Sequence, residues 1–447
     1  MQIAAPIVRV LALCALFASA ALPARAQVAV QEVVSPGGIR AWLAEEHSIP
    51  FTALEIRFRG GAALDAPERR GAINLMMALL EEGAGPLDAR AFAEAREELA
   101  ASFAFEASDD VARISARFLS ENRDESVALL KLAMMEPRFD RDALERVRAQ
   151  VLAVIRSEET DPGAIAGRVF DRLAWGEHPY GSSRNGTVES VSALGQADMR
   201  DAWARVFGRD RLYVAAAGDI TAEELGLLLD ELLLDLPESA SVPPAPEAGY
   251  RLEPGVTVVG FDTPQAVALF GHEGIARDDP DYIPAYILNE VFGGRGLQSR
   301  LTRELRERRG LTYGVSTFLL PMEYGRLVMG QVRSDNSRMA ESVALIRREW
   351  ARIAGEGLTG AELEEAKTYL TGAYPLRFDG NAPIARILVG MQMIGLPRDY
   401  IRNRNDMVRA VTLEDVNRVA RRLYQPDKLH FVVVGRPDGL PQPEQKP

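Results

Sequence analysis

Apolar and polar residues alternate along several short runs of the chain, a period of two that is typical of strands with one buried face. Longer runs with apolar residues three and four positions apart predict amphipathic helices. The clearest strand-like runs are FTALEIRFRGG, RISARFLS, AVALFGHEG and RLVMGQVRS. The clearest helices are predicted over 142–159, 199–207 and 336–355. Strands and helices in this mixed order predict α+β domains with helices packed on a sheet face.

The same pattern occurs twice. MRDAWARVFGRDRLYVAAAGDI and VNRVARRLYQPDKLHFVVVGRP each combine an amphipathic helix, a polar turn and a strand that ends at glycine. Leu212 and Leu429 hold matching places, and 429 − 212 = 217 residues separate them. Two earlier charged helices match through Ala143 and Glu362, where 362 − 143 = 219. An offset this constant over half a chain indicates a duplicated domain.

A stretch rich in proline, serine, alanine and glutamate lies between the two copies, at DLPESASVPPAPEAGYRLEPG. Proline fixes φ and lacks an N–H donor, so this stretch cannot continue a helix or a central strand. The chain is therefore predicted to comprise a leader (1–26), a first domain (27–236), a linker (237–255), a second domain (256–437) and a disordered tail (438–447).

The N-terminus has the features of an export signal. A short basic region ends at Arg9, an apolar run follows over 10–22, and an Ala-x-Ala site predicts cleavage after Ala26. The apolar run has roughly 13 residues, against about 20 for a membrane span. We therefore expect a periplasmic protein with no stable membrane span. Cys14, the one cysteine, lies in the leader, so the processed chain would contain neither disulfides nor a thiol nucleophile.

Composition narrows the functional classes. The chain has 447 residues and a formal net charge of −12, which argues against nucleic acid as a partner, because phosphate binding needs a basic face. Four histidines leave little material for a metal site.

The second half contains the run YILNEVFGGRGLQSRLTRELRERRGLTYGVST. It resembles the second domain of the insulinase and mitochondrial processing peptidase family, which has a glycine loop, then SRL, then an R-x-x-x-GL-x-Y pattern. The first half supports the resemblance with RFRGGAALDAPERRGAINL and GEHPYG. The resemblance implies two homologous domains, each a mainly antiparallel sheet with helices packed on one face, that together form half of a clamshell.

Active relatives carry His-x-x-Glu-His on a first-domain helix and a further zinc-binding glutamate about 76 residues later. The alignment places Asn74 and Ala78 at the two histidines, Met77 at the catalytic glutamate and Val154 at the last ligand, since 78 + 76 = 154. Methionine cannot accept a proton, and valine and alanine offer no lone pair to a metal. We expect a helix buried on several faces, with no metal and with Asn74 bonded to a neighbouring backbone group.

The resemblance also implies a role for an arginine and a tyrosine that match Arg306 and Tyr313. In the family these residues reach across a chamber to the zinc site of the opposing domain, bind the peptide backbone and stabilise the oxyanion. Gly293 and Gly294 would belong to a loop that lines this chamber. The structural alternative is that Arg306 is a solvated helix charge and that Tyr313 packs on the core.

The leading interpretation is a non-catalytic subunit of a periplasmic heterodimeric zinc metallopeptidase. The partner would be a homologous chain that carries His-x-x-Glu-His and the zinc, and the substrate would be a peptide. The alternative is a pseudopeptidase that acts as a peptide-binding or scaffold protein of the cell envelope.

Overall fold

The computed structural model describes residues 29–441, and the predicted leader and residues 442–447 of the predicted tail lie outside this range. One sheet has the strand order β1-β2-β8-β3-β7-β6 and a second has the order β11-β12-β10-β13-β9. The strands of the first sheet are β1 (Gln31–Val34), β2 (Arg40–Glu45), β3 (Phe51–Arg59), β6 (Ser102–Ala107), β7 (Val111–Leu119) and β8 (Leu212–Gly218). Those of the second are β9 (Gly255–Gly260), β10 (Gln265–Glu273), β11 (Gly314–Pro321), β12 (Arg326–Asp335) and β13 (His430–Gly435). A small hairpin, β4 (Gly83–Ala84) and β5 (Leu87–Asp88), stands apart.

Five of the six strands of the first sheet, all except the edge strand β1, have the same order as the five strands of the second. Each sheet contains a single parallel pair, β2 with β8 and β9 with β13, and its other pairs are antiparallel. Leu212 begins β8 and Leu429 immediately precedes β13, so the matched residues occupy equivalent places. The duplication predicted from the sequence is confirmed at the level of strand order.

Helices follow the strands in the same order in both halves. Those of the first half are α1 (Ala72–Leu79), α2 (Ala89–Glu98), α3 (Arg123–Met135), α4 (Arg141–Thr160), α5 (Pro162–Trp175), α6 (Val188–Ala193), α7 (Gln196–Val206) and α8 (Ala222–Leu233). Those of the second half are α9 (Tyr282–Asn289), α10 (Arg300–Thr302), α11 (Met339–Glu356), α12 (Gly360–Ala373), α13 (Asn381–Met393), α14 (Tyr400–Ala410) and α15 (Leu413–Leu423). Helices α9 and α10 continue as π-helical turns, Glu290–Gly294 and Arg303–Glu307.

Most helices of each half pack on one face of their own sheet, as expected, but the other face is covered by a helix from the other half. Phe170 and Trp175 of α5 share a buried cluster with Val432 and Val434 of the second sheet. Leu388 of α13 belongs to the cluster formed with the alanines of β2, β3 and β8. The central strands β8 and β13 contain continuous apolar runs that are buried on both faces, and the exchanged helices remove the second face from water. The halves are thereby locked together.

The proline-rich stretch runs as irregular chain between the halves, and β9 begins at Gly255, inside the predicted linker. Its backbone is nevertheless bonded to both sides. Ala248 N–H donates to the carbonyl of Tyr324, and Arg251 N–H donates to the carbonyl of Ala174. No helix within 29–441 is long and apolar enough to cross a membrane.

Candidate functional site

Helix α1 contains the residues that the sequence resemblance matches to a zinc helix, and a buried carboxylate fixes its start. Asp65 accepts hydrogen bonds from the N–H groups of Gly71 (2.8 Å) and Ile73 (2.9 Å). Burial raises the pKa of Asp65 to about 6, although these bonds and the nearby guanidinium of Arg70 oppose the rise. Gly71 has φ = 96°, a left-handed conformation that favours glycine.

Six of the eight α1 residues are buried, which confirms the predicted burial on several faces. Met77 is among them, so the residue at the position of the catalytic base lies in the core. Asn74 and Ala78, one turn apart, form the half-exposed stripe of the helix. This stripe is the face on which active relatives would carry their two histidines.

Asn74 is bonded to a side chain rather than to the backbone group that the sequence suggested. Its Nδ2 donates to Oδ1 of Asn185 (3.1 Å), and Nδ2 of Asn185 donates to Oε1 of Glu158 on α4 (2.8 Å). Val154, one turn earlier on α4, is 49% exposed. The correction arises because a loop far along the chain brings an amide to α1, and this contact is invisible in the local sequence.

The residues at this site do not fit a zinc ion. Within 29–441 no group of three or more histidine, cysteine, aspartate or glutamate residues is placed to hold a metal. The polar side chains here are two amides and Glu158, which are bonded to one another, and Ala78 offers no donor atom. The hydrogen-bonded chain of Asn74, Asn185 and Glu158 instead links α1 to α4.

Arg306 differs from its neighbours in the arginine-rich run around it. Arg300 and Arg303 each have a nitrogen within 4 Å of Glu362, and Arg308 and Arg309 both pair with Glu304. The pairs with Glu362 join α10 and the turn that follows it to α12, and those with Glu304 lie within the arginine-rich segment itself. Arg306 is exposed and has no ion pair within the described part of the chain.

Tyr313 projects from a well-anchored loop and is 82% exposed, so the alternative that it packs on the core is wrong. The backbone just before Tyr313, at Gly310 and Leu311, is held in place. Leu311 is buried, and its N–H donates to the carbonyl of Leu305 (2.8 Å). Ser334 Oγ donates to the carbonyl of Leu311 (2.6 Å), and Arg338 donates to the carbonyl of Gly310 (3.0 Å). A fixed backbone thus carries an exposed phenol.

Gly293 has a packing role. A Cβ placed there would lie 2.2 Å from Oγ1 of Thr317 and 2.8 Å from its backbone nitrogen, so the glycine lets the turn after α9 approach β11. Gly294 is exposed, and a Cβ placed there would lie 3.0 Å from Oε2 of Glu290 and 3.2 Å from Nδ2 and the carbonyl oxygen of Asn289, which is a looser fit than at Gly293. A contact of either glycine with a peptide stays a prediction.

Comparisons with known proteins agree with this geometry. Residues 193–370 match the family model described as the peptidase M16 inactive domain. The chain is 27% identical over 391 residues to the "Non-peptidase homolog YmxG" of Helicobacter pylori, covering 87% of this chain and 90% of that one. It is 26% identical over 337 residues to the mitochondrial-processing peptidase subunit beta of Blastocladiella emersonii, covering 73% and 71%.

Solved structures give the same result. A crystal structure of a peptidase M16 inactive domain from Pseudomonas fluorescens superposes with a TM-score of 0.86 at 26% identity, covering 93% of this chain and all of that one. A protease from Helicobacter pylori shares the fold at a TM-score of 0.82 and 15% identity, covering 92% of this chain. The fold is therefore that of the M16 peptidases, and over residues 193–370 the chain is similar to the inactive domain of that family.

Proposed function

We propose that this chain is the non-catalytic subunit of a periplasmic heterodimeric zinc metallopeptidase. Its partner is a similarly folded chain that carries His-x-x-Glu-His, and Arg306 and Tyr313 complete the site from the opposite side of the chamber. One observation carries the proposal: Tyr313 is 82% exposed on an anchored loop, and Arg306 is the unpaired arginine of its run.

The chemistry of the two groups suits this role. A guanidinium and a phenol are fixed hydrogen-bond donors, and both stabilise a carbonyl oxygen that gains negative charge during attack. The partner's zinc would supply the activated water. Neither chain contains both halves of the site in this arrangement, so activity requires the pair.

Because the loop is anchored, its hydrogen-bond donors are oriented before a peptide binds. The backbone of 309–311 is held by Ser334 and Arg338, so little ordering is needed when a peptide binds. Donors that are already oriented stabilise a transition state without a reorganisation cost.

The test is an assay with a quenched peptide, using this chain, a ligand-bearing homologue from the same organism, and their mixture. We expect hydrolysis by the mixture alone, and a loss of kcat/KM of about 10²-fold for Arg306→Ala, the order seen when one oxyanion donor is removed. Tyr313→Phe removes only the hydroxyl and should reduce kcat more than it raises KM.

Two matched variants control for nonspecific effects. Arg348→Ala removes an exposed arginine from α11, and Tyr369→Phe removes the hydroxyl of an exposed tyrosine on α12. Both should leave the mixture fully active. Full activity of the Arg306 and Tyr313 variants would refute the composite site. Peptide binding by this chain alone, with no hydrolysis in any mixture, would favour the pseudopeptidase alternative.

The periplasmic assignment rests on the leader and has its own test. N-terminal sequencing of the protein recovered from a periplasmic fraction should give Gln27 as the first residue. A chain that retains Met1 in the cytoplasmic fraction would contradict export.

A further inference from the structure

A cavity of about 430 Å³ lies where α9, α13 and α14 meet the first sheet. Neither the zinc-helix position nor Tyr313 lines it. Its wall contains five arginines and no aspartate, glutamate or lysine: Arg57, Arg277, Arg377, Arg386 and Arg404. The chain as a whole has more acidic than basic residues, 64 against 52, so a cavity wall that is exclusively basic differs from the rest of the protein.

Arg404 is the most constrained of the five. It is 7% exposed, and its hydrogen bonds within the described chain all come from Nη1, to the carbonyl of Leu370 (2.9 Å) and to Oδ1 of Asn405 (3.1 Å). Its guanidinium carbon lies 4.6 Å from the ring centroid of Tyr374 and 5.9 Å from that of Tyr286. A buried guanidinium without a carboxylate is costly, unless an anion supplies the missing charge.

The other arginines are also short of carboxylates. Arg57 donates to the carbonyl of Arg386 (3.3 Å), and its Nε is buried without a partner in the described chain. Burial lowers the pKa of Arg57, and the charges of Arg113 and Arg386 lower it further, against the opposing effect of Glu55. Arg386 lies 3.7 Å from Glu55, the one carboxylate among residues 29–441 that is paired with a cavity arginine.

Carboxylates near the cavity do not neutralise it. Burial raises the pKa of Glu290, although the charges of Arg377 and Arg404 oppose the rise, and Glu290 does not line the cavity. Arg277 is stacked over Tyr282 at 4.2 Å, and Arg377 is exposed. Guanidinium groups that converge on one concavity repel one another, and a bound anion relieves that repulsion.

The cavity also offers neutral donors and apolar surface. Four tyrosines line it, and burial raises the pKa of Tyr374 to about 12, so that its hydroxyl stays protonated. Isoleucine, methionine, leucine and valine side chains from α9, α13 and α14 complete the wall. The volume falls in the range of about 300–1,000 Å³ that is usual for small-ligand sites.

We propose that this cavity binds a small organic anion, whose carboxylate or phosphate is held by Arg404, Arg377 and Arg57 and whose apolar part lies between the tyrosines. Planar guanidinium groups bind carboxylate and phosphate through paired hydrogen bonds, which point charges do not provide. The site is independent of the proposed peptidase role, because neither Arg306 nor Tyr313 takes part.

The experiment is isothermal titration calorimetry on the full processed chain in a phosphate-free buffer. The probes are phenyl phosphate, 3-phenylpropionate and, as the neutral match, benzyl alcohol. We expect saturable binding of at least one anion, at least tenfold tighter than that of the alcohol. Tighter binding of phenyl phosphate assigns the phosphate class, and tighter binding of 3-phenylpropionate assigns the carboxylate class.

Variants locate the binding. Arg404→Gln should weaken anion binding about tenfold or more, as expected for the loss of charge-assisted hydrogen bonds. Arg404 is buried, so a second variant at an exposed position guards against an effect of misfolding: Arg377→Gln should also weaken binding several-fold. Arg402→Gln removes an exposed arginine outside the cavity, on the same helix, and should change nothing. Absence of saturable anion binding, or equal affinity in the Arg377 and Arg402 variants, would overturn the proposal.

Discussion

His272 gives the protein a predictable sensitivity to acid. It is fully buried in β10, and its Nδ1 lies 2.8 Å from the carbonyl of Glu273, to which it donates. Its Nε2 faces the indole N–H of Trp350 (3.2 Å) and the backbone N–H of Gln425 (3.3 Å). Both of these groups are donors only, so Nε2 must accept and the imidazole is neutral. Burial lowers the pKa of His272 to about 4, with a smaller contribution from Lys428 and an opposing one from the Glu273 carbonyl.

The magnitude follows from the difference between the two states. The pKa of the imidazole is 6.5 in the unfolded chain and about 4 in the folded one. At about 1.36 kcal/mol for each pH unit, this difference contributes roughly 3 kcal/mol to the free energy of unfolding. The sign is that of a depressed pKa. The contribution is fully present above pH 6.5, and it is lost as the pH falls from 6.5 through about 4.

The assay is chemical denaturation at several pH values between 4 and 7.5, on the wild type and on His272→Gln. Glutamine can accept from Trp350 but does not titrate in this range, so the variant should lose less stability in acid, by roughly 3 kcal/mol. Asp65 and Asp171 have pKa values raised to about 6 and about 7 by burial, and their contribution changes in the opposite direction. They are common to both proteins, so the difference between the two curves isolates His272. Equal acid sensitivity would refute the reasoning. His47→Gln should instead increase the acid loss, because hydrogen bonds to Asp219 and Glu45 raise the pKa of His47 and so stabilise the folded chain in acid.

Three further results are expected. Gly293→Ala should lower the free energy of unfolding by about 1–3 kcal/mol in urea denaturation, because the added Cβ would overlap the backbone of β11. Gly294→Ala should lower it less, and equal effects of the two variants would contradict the packing role of Gly293. Leu388→Ala, in the exchanged helix α13, should cost about 2–5 kcal/mol and lower the denaturation midpoint of the whole chain, as followed by circular dichroism; separate transitions would show that the halves are not locked. Metal analysis of the isolated wild type should find no stoichiometric zinc. The double variant Asn74→His/Ala78→His places two imidazoles one turn apart and should raise the zinc affinity at least tenfold. Unchanged zinc affinity would mean that this face of α1 does not correspond to a zinc site.

Several elements could be predicted because their information is local. The strands at β3, β7, β10 and β12 alternate apolar and polar residues, and their observed bounds fall within two residues of the sequence runs. Helix α4, predicted over 142–159, spans Arg141–Thr160. Side-chain periodicity reflects the geometry of one element, so it can be read without knowledge of its neighbours.

The candidate site was predictable in part, for the same reason. Replacement of the family's ligands by Asn74, Met77 and Ala78 is a property of one helix, and the sequence displays it directly. The bond from Asn74 to Asn185 joins residues 111 positions apart, and the local pattern contains no signal for it. Nothing in the local sequence identified Glu158 as the end of the hydrogen-bonded chain.

The sequence alone determined the duplication, the identity of most strands and helices, and the absence of zinc-binding side chains on α1, since each depends on residue type and short-range order. The tertiary structure decided which surfaces meet. It places α5 of the first half on the second sheet and α13 of the second half on the first sheet. It exposes Tyr313 and buries Leu311. It also brings Arg57 into one cavity with arginines that lie more than 200 positions later in the chain. Burial of apolar faces is non-directional, so many partners would satisfy a given face, and only closure of the whole chain selects one.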